Sequence, residues 1–129
     1  MVDLWPYWDT LSLKEDLIAS ATHDWQHISD VVGIARRSGL VDDDLLRMFI
    51  VGLIGQVLVE GLMVAGDAMD GFSAWPMSVG ESIARIAREL GETPIDELAP
   101  GNIAWFALTQ EGELLGKRLI RSLEEKAGS

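Results

Sequence analysis

The sequence predicts a mainly helical α+β domain, with about four helices and a small two-stranded antiparallel sheet. Three observations carry this expectation. Ser12 with Glu15 and Ser78 with Glu81 are capping boxes, each placed just ahead of an apolar pattern of helical period. Residues 48–59 form an uncharged apolar run that suits a central helix. Residues 103–108, Ile-Ala-Trp-Phe-Ala-Leu, have the aromatic and apolar content of a strand. A chain of 129 residues is expected to form a single domain able to bury a core without disulfides, and no internal repeat or long linker divides it.

The elements follow in order. Leu4, Trp5, Pro6, Tyr7 and Trp8 gather three aromatics around a proline, which predicts an extended segment against the core. After the Ser12 cap, Leu17, Ala21, Trp25, Ile28, Val32 and Ala35 recur at spacings of three and four, predicting one helix over residues 13–37 that Gly39 stops. Asp42, Asp43 and Asp44 suit the positive end of a second helix over residues 43–60. Gly52 and Gly55 inside it weaken the helix, which suggests that another element approaches closely there. Residues 62–66 read as a short strand paired with 103–108, Asp70-Gly71 as a turn, and residues after Ser78 as a third helix ending at Gly91. A loop containing Pro94, Pro100 and Gly101 leads to the second strand, and Thr109 caps a last helix over residues 110–126.

Composition removes several kinds of function. Twenty-one acidic residues against ten basic ones give a formal charge of −11, the wrong sign for gripping a phosphate backbone. The absence of cysteine excludes a thiolate metal site, a disulfide framework and a cysteine nucleophile. Residues 1–9 carry no base and no apolar run, so no signal peptide is expected there and a cytoplasmic address is the default. The longest apolar run is too short to cross a bilayer, which needs about twenty residues, so no membrane partner is expected. Neither dinucleotide nor Walker-type glycine loops occur, no serine lies in a nucleophile-elbow setting, and no cofactor is expected.

Two groups of residues remain as candidate sites. His23 and His27 stand four apart, and a continuous helix would set both imidazoles on one face with Asp30 as a third ligand for a metal ion. At about 100° per residue, all three point away from the face centred on Ala21, as does Asp16. The other group is a partner-binding surface. Trp5, Trp8 and Trp75 lie beside prolines or turns rather than on helical stripes. Asp42, Asp43 and Asp44 belong to an acidic first third, in which nine acids meet three bases up to residue 44.

Val57-Leu58-Val59-Glu60-Gly61-Leu62-Met63 followed by a strand, and then Leu108-Thr109-Gln110-Glu111-Gly112-Glu113-Leu114-Leu115, resemble the second half of winged helix-turn-helix regulators over residues 50–120. In that family the phrase LTxEGxxL opens the closing helix. The resemblance implies a winged-helix-like layout and, as the family's usual use, DNA-binding regulation. The residues point elsewhere: the helix in the recognition position is apolar with Arg47 as its one base, and residues 67–102 are too long for a wing and predict a helix of their own.

The leading functional expectation is therefore a non-catalytic cytoplasmic domain whose acidic surface meets a basic protein, in the manner of an immunity or antitoxin-type inhibitor. A winged-helix regulator or remnant and a small metal-dependent hydrolase using His23 and His27 stand as alternatives. Self-association is left open.

Overall fold

A computed structural model describes residues 4–99 and 101–128; Pro100 lies outside the described residues, as does the start of the N-terminal segment. The fold is mixed α+β and mostly helical, with six α-helices and a four-stranded antiparallel sheet among the described residues. The helices are α1 (Trp5–Trp8), α2 (Leu13–Ala21), α3 (Ile28–Ala35), α4 (Asp43–Val59), α5 (Val79–Glu92) and α6 (Gln110–Ala127). The strands are β1 (Gln26–His27), β2 (Met63–Ala68), β3 (Phe72–Ala74) and β4 (Trp105–Leu108), ordered β1-β4-β2-β3.

Helix starts follow local chemistry. The Ser12 and Ser78 side chains accept the backbone N–H of Glu15 and Glu81, and each glutamate returns a bond to the cap residue's own N–H. Asp42 caps α4 and Thr109 caps α6. The end of α4 is a Schellman arrangement: Gly61 at φ 72° lets the N–H of Leu62 reach the carbonyl of Val57 at 3.0 Å. Thr109 then ties the next element to the same turn, its hydroxyl donating to the Gly61 carbonyl at 2.6 Å. The expected pairing of the two strands is present, with Met63 opposite Leu108 and Gly66 opposite Trp105.

The expected counts of helices and strands are both low, and the causes are local. The first segment is a turn of helix, because Pro6 near its start needs no N–H donor there. Leu4, Tyr7 and Trp8 pack α1 against a small cluster of Leu11, Ala19 and Leu123. The helix expected over residues 13–37 is two helices. Thr22 turns its hydroxyl back to the Ala19 carbonyl, Asp24 accepts the N–H of Trp25, and Gln26 and His27 pair with Phe106 and Trp105. Such side-chain bonds to nearby backbone compete with helix. The apolar spacing continued across the break because both helices face one core, built on Leu17, Ile18, Ile28, Val31, Leu46, Ile50, Ile54 and Phe106. Trp25 left that stripe and lies partly exposed against Phe72, with ring centroids 5.9 Å apart. β1 and β3 are too short to show a period in sequence.

The glycines of α4 do not mark a close approach. A Cβ at Gly52 would meet nothing within 4 Å, and one at Gly55 would touch Ile83 at an ordinary 3.7 Å. The expected result of Gly52→Ala is thus a gain of about 1 kcal/mol in unfolding free energy from helix propensity alone. Denaturant titration checks it, and a loss would mean that another group does pack against Gly52. The close approaches lie elsewhere: a Cβ at Gly66, Gly112 or Gly116 would collide with Ser73, Leu62 or Thr22.

Candidate functional site

A groove of about 770 Å³ runs between α1, α2 and α3. Asp16 forms its floor, 5% exposed in the middle of α2. One carboxylate oxygen accepts the indole N–H of Trp8 at 2.8 Å and the hydroxyl of Ser20 at 2.9 Å. The other accepts from the Arg37 guanidinium, which also reaches Asp9 at 3.6 Å. A charge taken this far from water needs such a set of donors, and here three elements supply them. Trp5, 76% exposed, forms part of the wall, while His23, Gln26 and Asp30 line the side nearer α3. With histidine neutral, the lining carries Asp9, Asp16 and Asp30 against Arg37 alone.

The tertiary structure therefore joins Trp5, Trp8, His23 and Asp30, expected for two different reasons, in one groove. Asp16, expected on a solvated face, is buried because α1 and Arg37 cover that face. Ser20 and Arg37 were invisible as site residues, because nothing local links either to Trp8.

Two expectations need correction. Trp75 is not a surface aromatic. It is 7% exposed in the main core, its backbone N–H bonded to the Ala65 carbonyl and the Arg85 guanidinium 3.9 Å above its ring. Its position beside Pro76 and a turn said nothing of burial, which comes from β2 and α5 closing over it.

The second correction concerns His27, which shares no helical face with His23. His23 is exposed in the turn after α2, whereas His27 is 2% exposed and caps α3. Its Nδ1 accepts the N–H of Ser29 at 3.1 Å, and Nε2 lies 3.2 Å from the Asn102 carbonyl, to which it donates. Both ring nitrogens are thus engaged in structural bonds. Asp30 completes a capping box by accepting the N–H of His27 at 2.8 Å. Among the described residues no group of three His, Cys, Asp or Glu side chains is arranged to hold a metal ion. The basis for chelation at i and i+4 is removed by the break between α2 and α3.

Burial holds the His27 imidazole below its ordinary 6.5, opposed by the Asn102 carbonyl and the charge of Asp30. The unfolded chain then binds the proton at higher pH than the folded one, so this contribution to stability is complete above 6.5 and is lost as pH falls below it. Glu81, held below its ordinary 4.5 by Ser78, acts only in a more acidic window. Urea titrations from about pH 7.5 to 5.5 should show stability falling in the wild type and a flatter profile in His27→Asn. Equal slopes would show that His27 does not drive the change.

Asp42, Asp43 and Asp44 stay exposed at the start of α4, away from this groove's lining. Asp42 accepts the N–H of Leu45 at 2.9 Å, and Asp44 pairs with Arg47 at 3.3 Å. No helix among the described residues is long and apolar enough to cross a membrane. No protein family, curated protein or solved structure compared with the chain matches it.

Proposed function

We propose that the chain is a non-catalytic protein-binding domain that takes a basic segment of a protein partner into the groove between α1, α2 and α3, as an immunity or antitoxin-type inhibitor would. The observation that carries this is the lining itself: two tryptophans beside three carboxylates and one arginine, with the central carboxylate held rigid by Trp8, Ser20 and Arg37. An arginine or lysine side chain there would meet both opposite charge and an aromatic wall. The overall charge of −11 adds attraction at longer range.

The winged-helix alternative has support from the order of elements. α4 leads into β2 and β4 leads into the closing helix α6, with β2 and β4 paired antiparallel, but β3 and α5 stand between the two strands in the chain, where a wing would be short. Thr109 and Gly112 of the LTxEG phrase bond and pack against the Gly61-Leu62 turn. The helix in the recognition position suits DNA poorly, because Asp42 caps α4, Asp43 and Asp44 open it, and Leu45 and Met48 are exposed on it. We read the layout as a scaffold used for protein binding.

One titration tests both readings. Tryptophan fluorescence is followed as Arg-rich, Lys-rich and Glu-rich peptides are added at low salt. Saturable binding of the basic peptides, weakened about tenfold or more by Trp5→Ala with Asp9→Asn, is expected. Indifference to peptide charge, or to that double change, overturns the proposal. Submicromolar binding of duplex DNA in about 50 mM salt would move the regulator reading to first place.

A further inference from the structure

His27 stands behind the wall of the groove rather than in it. Gln26, Ser29 and Asp30, on either side of it in the chain, line the groove, while the imidazole is 2% exposed and set edge-on to the Trp105 ring at 4.9 Å. Because the Asn102 carbonyl can only accept, Nε2 carries the proton and Nδ1 keeps the free lone pair. Two donors of Ser29 converge on that lone pair, the backbone N–H at 3.1 Å and the hydroxyl at 2.8 Å. A second proton on the ring turns Nδ1 into a donor. The Ser29 hydroxyl can rotate and accept from it, but the backbone N–H cannot. The first turn of α3 then loses its cap, and a cation arrives at the positive end of the helix.

The same ring holds a strained stretch of chain. Ile103 lies at φ 54°, in the left-handed region that a β-branched residue rarely occupies, and among the described residues it is the one non-glycine residue there. The carbonyls on either side of it are both tied to the junction of β1 and α3: Asn102 accepts from His27, and Ala104 accepts the N–H of Ile28 at 3.2 Å. Charges able to act on the imidazole are few. On α3, Asp30 accepts the N–H of His27 at 2.8 Å, and its charge favours the imidazolium. β4 and residues 99–104 carry no charge. α2 offers Asp16, and the turn after α3 offers Arg37 and Arg36, but these are paired, Arg37 with Asp16 and Arg36 with Asp96. His23 lies exposed in the turn after α2. The charges of α4 sit near its start, where Arg47 reaches the Leu90 and Thr93 carbonyls.

We propose that His27 is a pH-responsive latch on the groove: on gaining a second proton it releases the first turn of α3 and the Asn102–Ala104 stretch, and it draws Asp30 away from a basic ligand. This rests on the reading of the groove as a site for a basic segment and adds its regulation. Asp30 is the link, since it lines the groove and also bonds to His27. One carboxylate cannot serve two cations fully, so a proton on His27 and an arginine or lysine in the groove compete for it. Affinity for a basic segment therefore falls as pH falls. By reciprocity, a bound basic segment lowers the pH at which His27 takes its proton. Burial opposes the charged ring and keeps the latch closed near neutral pH.

Two measurements on the whole chain test the latch, the first without a ligand. The ring signals of both histidines and the amide signals of Ile28 and Ser29 are followed by NMR from about pH 7.5 to 5.5. Both amides are expected to shift and to lose protection from hydrogen exchange with the midpoint of His27 rather than that of His23, while amides in the middle of α4 keep theirs. A His27 ring that stays neutral throughout, or that takes its proton while Ile28 and Ser29 stay protected, overturns the inference. This measurement needs no change at His27, so it decides the matter even if a variant there fails to fold. In the second, an Arg-rich peptide is titrated at low salt by tryptophan fluorescence in a His23→Gln background, which leaves His27 as the one histidine. Affinity should fall about fivefold or more from pH 7.5 to 5.5. His27→Asn, whose amide oxygen still caps α3 but takes no proton, should cut that dependence to under about twofold. Equal pH dependence with and without His27 overturns the coupling to the groove. Absence of binding at pH 7.5 is instead a failure of the groove reading, and the first measurement then decides whether His27 opens the start of α3.

Discussion

Asp16→Ala is expected to lower the free energy of unfolding by about 2–3 kcal/mol, less than the 3–5 for breaking a fully buried ion pair because Arg37 keeps partial access to water. The substitution removes the acceptor of three donors at once: the Trp8 indole, the Ser20 hydroxyl and the Arg37 guanidinium. The Trp8 indole bonds α1 to α2, so α1 should loosen first. Asp16→Asn keeps an oxygen for Trp8 and Ser20 and should lose less. Adding Arg37→Met to Asp16→Ala should recover part of the loss, since the uncompensated cation is gone. Urea unfolding of the four proteins gives the comparison. A loss for Asp16→Ala below about 0.5 kcal/mol, the scale of an ordinary surface change, would show that the groove floor is already hydrated.

The second large effect is at Gly112. A Cβ there would run into the backbone carbonyl of Leu62, and that carbonyl is held in place by the N–H of Thr109 at 3.0 Å. Neither side can yield without separating the start of α6 from the turn after α4. Gly112→Ala is therefore expected to destabilise by about 2 kcal/mol despite the better helix propensity of alanine. Gly52→Ala, the same chemical change in open space, should move the other way. Opposite signs from one denaturation series would separate packing from propensity; the same sign at both positions would refute the close approach at Gly112.

Much of the fold was legible because helix starts are decided within four residues. Ser12, Asp42, Ser78 and Thr109 each satisfy a backbone N–H that would otherwise lack a partner, and each marks its helix correctly. The turn at Asp70-Gly71 was legible for the same reason, Gly71 standing at φ 100°. His27 was not legible as a cap, because an imidazole accepting from Ser29 looks in sequence like any polar residue on a helix.

Length, charge and the lack of cysteine, together with the local caps, were enough by themselves to determine a mainly helical chain of acidic surface and to place most of its helices. Which residues form the candidate site was decided only by the tertiary structure. Asp16 is polar on an amphipathic segment, and its neighbours in sequence say it should face water. It faces inward because α1 folds back from before it and Arg37 arrives from after it, 21 positions along the chain. Trp75 went the opposite way to its local signals, drawn into the core by strands and a helix on either side. Burial is a property of what covers a residue, and the covering groups come from distant parts of the chain, whereas a cap needs only its own first turn.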